Sequence, residues 1–81
     1  MGERYVVLGS REPRKRRKWE LLYIAVNLEL AFRTAQGIES QQRLMGDAAY
    51  RCLVVKESNY DRGRLLPVEP PNTTVEAQHP A

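Results

Sequence analysis

Between Trp19 and Ala35 apolar side chains recur at close to 3.6-residue spacing, on two opposite sides of a helical wheel. Leu21, Ile24, Ala25, Leu28, Ala31, Phe32 and Ala35 gather on one face, and Trp19, Leu22, Tyr23, Val26 and Leu30 on the other. Narrow polar strips divide them: Glu20, Asn27 and Thr34 on one side, Glu29 and Gln36 on the other. The pattern predicts a long helix over about 13–36. Pro13 would start it, Glu12 or Ser10 would cap it, and Gly37 would stop it. A surface helix carries one apolar stripe. A helix with two must be covered twice: by a sheet, and by another helix, a second copy of the chain or a foreign partner.

The remaining segments supply the sheet. Residues 4–9, RYVVLG, read as a strand with both faces apolar. Residues 39–45, ESQQRLM, read as a short helix closed by Gly46. Residues 50–57, YRCLVVKE, suit either a strand or a helix capped by Asp47; Val54 and Val55 favour the strand, which also gives 4–9 a neighbour. NYDRG, residues 59–63, is a turn. Residues 64–68 form a candidate third strand that Pro67 confines to an edge. The expected fold is α+β, a single small domain over 1–68 of order β-α-α-β(-β), with the long helix packed on two or three strands. A disordered proline-rich tail, 69–81, follows.

An 81-residue chain yields a marginal core, one that often needs tight packing, a homodimer or another partner. Charge is unevenly spread. Residues 11–18 carry six cations and one acid, a net +5, whereas the other 73 residues carry seven cations and nine acids, a net −2. The cluster is Arg11, Arg14, Lys15, Arg16, Arg17 and Lys18, with Trp19 at its edge and Tyr23 further along. Placed at a helix N-terminus, such cations oppose the macrodipole and repel one another. Stability is therefore a poor reason for them. They serve either as a solvated mouth or as a contact for an anionic partner. On nucleic acid they would contact at most about six phosphates, with Trp19 placed to stack on a base or to pack in the core. On an acidic protein surface they would steer association. PRKRRK, residues 13–18, also fits a nuclear localisation pattern, which matters only in a eukaryotic or viral setting.

Other motifs are sparse. Residues 64–70, RLLPVEP, match the proline-rich ligand of SH3 domains, although a proline-rich tail produces such matches by chance. The single histidine, His79, stands without a cluster of metal ligands. Cys52, the one cysteine, sits among apolar residues and allows no disulfide within the chain, which points to a reducing, cytoplasmic setting. Asn72-Thr73-Thr74 fits a glycosylation triplet by accident. No secretory or membrane-spanning run is evident, and Val6 breaks a myristoylation signal. No phosphate loop or nucleophile–base pair is seen.

The sequence thus predicts a non-enzymatic regulatory or binding protein without cofactor or metal. It would dock on a larger macromolecular partner, such as the transcription machinery, through the basic patch and an apolar helix face. A scale analogy to small viral host-takeover proteins is the only broader hint. The rival readings are a dimeric nucleic-acid binder using 11–18 and an adaptor using the SH3-type segment.

Overall fold

A computed structural model describes residues 2–70. The order is β1 (Tyr5–Ser10), a single 3-10 turn (Arg16–Lys18), β2 (Glu20–Ala25), α1 (Leu28–Leu44), β3 (Arg51–Lys56) and α2 (Glu57–Asp61). The three strands form an antiparallel sheet in the order β2-β1-β3. The domain is α+β, with one long helix on a three-stranded sheet, as the sequence suggests.

The position of that helix differs from the expectation. The segment 20–25, ELLYIA, is a strand rather than part of a helix over 13–36. The long helix starts at Leu28, and the order is β-β-α-β-α. The cap explains the switch: the Asn27 side chain accepts a hydrogen bond from the Leu30 amide at 2.8 Å, and Glu29 lies in the first turn. Upstream, Leu-Leu-Tyr-Ile-Ala is apolar on both faces, β-branched and aromatic, which suits a strand beside β1. Gly37 is not a stop; the helix runs through it and absorbs the expected short helix 39–45. It ends at Gly46 (φ 100°), where the Gly46 amide bonds Arg43 O at 3.0 Å and the Asp47 amide bonds Gln42 O at 3.0 Å, a Schellman closure. Gly63 (φ 75°) closes α2 by the same pattern, through Tyr60 O and Asn59 O.

The central strand β1 is buried on both faces, and each face has its own cover. Tyr5 and Val7, with Ala25, Cys52 and Val54, pack under Leu28, Ala31, Phe32 and Ala35 of α1. Val6 and Leu8, with Leu53 and Val55, pack under Trp19, Tyr60 and Leu65. Alternation along β1 therefore feeds two small cores.

The segment after α2 is less regular than a third strand. Val55 makes a bridge with Pro67, and the Val68 amide bonds Val54 O at 2.8 Å. Proline lies on the outer side of β3, where no ladder donor is required. Residues 71–81, including His79, Asn72-Thr73-Thr74 and nearly all of the expected tail, lie outside the described residues. No helix among the described residues is long and apolar enough to cross a membrane.

Candidate docking site on the β1–β2 loop

The basic run is the nine-residue connection 11–19 between β1 and β2, not the start of a helix. The macrodipole objection to it therefore falls away. The helix that follows carries its own acid, Glu29, at its N-terminus.

The loop is pinned along its length. The Ser10 hydroxyl accepts from the Glu12 amide at 2.9 Å, and Ser10 is buried. Arg11 pairs with Asp47 at 2.9 Å, tying the loop to the turn before β3. Lys15 pairs with Glu12 at 2.9 Å. That hydrogen bond, reinforced by the opposite charge, holds the Glu12 carboxyl below its ordinary range and lifts the Lys15 ammonium above its own. Arg16 donates to the Gly63 carbonyl. Trp19 is half-buried over the second core and donates from Nε1 to Pro13 O at 3.2 Å.

Of the sequence-predicted site residues, Arg11, Lys15, Arg16 and Trp19 thus hold the loop in shape. Arg14, Arg17 and Lys18 are exposed and make no ion pair among the described residues. Tyr23 lies on β2, 43% exposed, and not on a helix face. The apolar helix face expected to join the basic patch is instead the edge strand β2. There Leu21, Leu22 and Ile24 are exposed alongside Tyr23, and the composition of 21–26 with Asn27 behind it is the signal that would have revealed them.

Sequence reasoning also missed Arg51. A cleft of about 420 Å³ opens between the loop and β3, lined by Glu12, Pro13, Arg14, Lys15, Ala49 and Arg51. Its three cations outnumber its one carboxylate, and Pro13 and Ala49 give it an apolar component. Arg51 Nη1 is fixed by the carbonyls of Ala48 (3.0 Å) and Tyr50 (2.8 Å). On the other side of Glu12, Arg11, Arg17, Lys18 and Glu20 line a second cleft of about 350 Å³.

Elsewhere the chemistry is muted. Burial, with the Glu39 carboxylate adding to it, pushes the Cys52 thiol up to about 11, so it is protonated at neutral pH. Burial likewise raises the Tyr50 phenol. Among the described residues no cluster of His, Cys, Asp or Glu is placed to hold a metal ion. The 64–70 segment is engaged by its own sheet through Leu65, Pro67 and Val68, so offering it to an SH3 domain would first strip it from β3.

The site thus defines a small α+β domain that displays a braced basic loop. No family model, curated protein or solved structure matches the chain significantly.

Proposed function

We propose that this protein is a non-enzymatic binding protein whose basic loop docks on an acidic surface of a larger protein. The observation that carries the reading is that Arg14, Arg17 and Lys18 are exposed and make no ion pair among the described residues, on a loop held by four separate side-chain contacts. A loop serving solubility alone needs no such bracing. A braced loop presents its charges in one arrangement, which lowers the ordering cost of binding. The Arg14–Arg51 cleft suits a carboxylate, because Arg side chains grip carboxylates bidentately and Pro13 and Ala49 add apolar contact.

Protein is favoured over nucleic acid by the state of Trp19. Its ring belongs to the second core and its indole N–H is engaged by Pro13, so it is not free to stack on a base. The test is capture from lysate with and without nuclease, followed by direct titration of the captured partner. Capture should survive nuclease and fall at least about tenfold in affinity for an Arg14→Gln/Arg17→Gln variant. Capture abolished by nuclease would transfer the role to a polyanionic nucleic acid. Unchanged capture by the variant would reduce the loop to solvation.

A further inference from the structure

We infer that the cleft between the loop and β3 takes the C-terminal carboxylate of a partner chain. Arg51 grips the carboxylate, and Pro13 and Ala49 seat the side chain of that terminal residue. The inference deepens the docking role proposed above and rests on it for the nature of the partner.

Arg51 is held in place before any ligand arrives. Its Nη1 donates to the carbonyls of Ala48 at 3.0 Å and Tyr50 at 2.8 Å. A guanidinium Nη carries two N–H groups, so those two bonds occupy it. Nε and Nη2 of Arg51 make no hydrogen bond or ion pair among the described residues. Together they form the side-on fork that matches the two oxygens of a carboxylate. An exposed arginine gives up rotamer freedom when it grips a ligand, and Arg51 has given up part of it in the free fold.

The rest of the cleft selects the kind of carboxylate. Lys15 is paired with Glu12 at 2.9 Å, which leaves Arg14 and Arg51 as its uncompensated cations. Arg14 comes from the loop and Arg51 from β3, so both walls attract an anion. Pro13 and Ala49 supply the apolar part of the lining. The Glu12 carboxylate holds Lys15 and keeps acceptor capacity for a peptide N–H. A C-terminal residue joins a carboxylate, a side chain and an N–H at a single carbon. It therefore meets the fork, the apolar seat and the acceptor at once. An Asp or Glu side chain brings its carboxylate on a bare methylene, and a phosphate brings no apolar group, so either leaves Pro13 and Ala49 unused. The cleft volume of about 420 Å³ lies at the small end of ligand sites, as a chain terminus requires.

Chemical-shift titration of the isotope-labelled full chain tests this with four probes. They are acetyl-Gly-Gly-Leu with a free carboxyl, the same peptide amidated, acetyl-Gly-Glu-Gly amide, and inorganic phosphate. The free acid should shift the Ala49 and Arg51 amides with a Kd of about 1–10 mM, and the other three should bind at least about tenfold more weakly. Arg51→Lys keeps the charge but loses the fork, and should weaken the free acid at least about tenfold with the circular-dichroism spectrum unchanged. Ala49→Asp, at an exposed turn position, should do the same by placing an anion on the seat. Arg33→Gln removes an exposed cation of α1 outside the cleft and should bind as wild type does. A free acid that shows no saturable shift by about 50 mM overturns the inference, as does an Arg51→Lys chain that binds it normally. An amidated peptide, a Glu side chain or phosphate that binds as tightly also overturns it, while leaving docking on an acidic protein standing. Capture abolished by nuclease would remove that docking role without altering any of these titrations.

Discussion

Gly9 lies in the central strand with Cys52 on one side and Glu20 on the other, and the hydroxyl end of Tyr50 occupies the space a Cβ would take. A methyl group placed there would overlap the Tyr50 hydroxyl outright, and would come within 2.8 Å of Tyr50 Cζ and 2.6 Å of Leu22 Cδ1. Leu22 is 37% exposed and its terminal methyl can swing aside, whereas Tyr50 is 8% exposed and must carry its ring with it. Overpacking of this kind costs about 1–3 kcal/mol. Alanine returns about 0.4–1 kcal/mol by restricting the unfolded chain. Gly9→Ala should therefore destabilise by about 1–2 kcal/mol, or about 5–15 °C in Tm for a domain of this size. Urea unfolding followed through the single tryptophan, Trp19, reports it directly. Tyr50→Phe removes the atom in worst overlap but leaves Cζ, so in that background the penalty should fall by roughly half. A Gly9→Ala protein within about 0.5 kcal/mol of wild type would refute the close approach of Tyr50. An identical penalty with and without the Tyr50 hydroxyl would move the clash to Tyr50 Cζ and Leu22 Cδ1.

Two further outcomes are open to measurement. Asn27→Ala should cost about 1 kcal/mol in the same urea assay through loss of the α1 cap, whereas Glu12→Ala, at the helix start that periodicity suggests, should leave the urea midpoint where it is. The Cys52 thiol, raised from 9.0 to about 11 mainly by burial, should react with iodoacetamide at pH 8 roughly ten- to a hundred-fold more slowly in the folded chain than in urea. The same shift fixes a sign. The folded state holds the proton more tightly, so this contribution to stability is complete below pH 9 and is lost as pH rises towards 11. Cys52→Ala should flatten that part of the profile.

The strands at 4–9 and 50–57 are legible because their apolar residues fall in short runs with β-branched centres. The closure at Gly46 is legible because only a residue without Cβ adopts that φ at little cost. The stretch 19–26 misleads for a physical reason. A strand buried in part on both faces has no polar alternation, so its residues can be laid on a helical wheel as readily as on a pleat. Two opposed apolar faces are what such a strand leaves when it is wound on that wheel. Continuity into the amphipathic run of α1 then hides the boundary. Asn27 marks it, because a side chain that accepts from the Leu30 amide replaces a helical turn that would otherwise have preceded it.

That reassignment changes how the basic run and the apolar stripe relate. On a helix they would form one amphipathic unit whose charges weaken their own scaffold. On a loop feeding an edge strand they become separable. The loop is tied to the rest of the fold by Arg11 on Asp47 and Arg16 on the Gly63 carbonyl, contacts in which Arg14 and Arg17 take no part. The apolar margin belongs to β2, whose inner side is secured by β1 whatever happens outside it. Of the cations, Arg14 and Lys15 line the cleft with Arg51, while Arg11, Arg17 and Lys18 line the other. The sequence shows all six cations as one block of charge. The fold divides them into three that hold the loop, Arg11, Lys15 and Arg16, and three that stand exposed without an ion pair among the described residues, Arg14, Arg17 and Lys18.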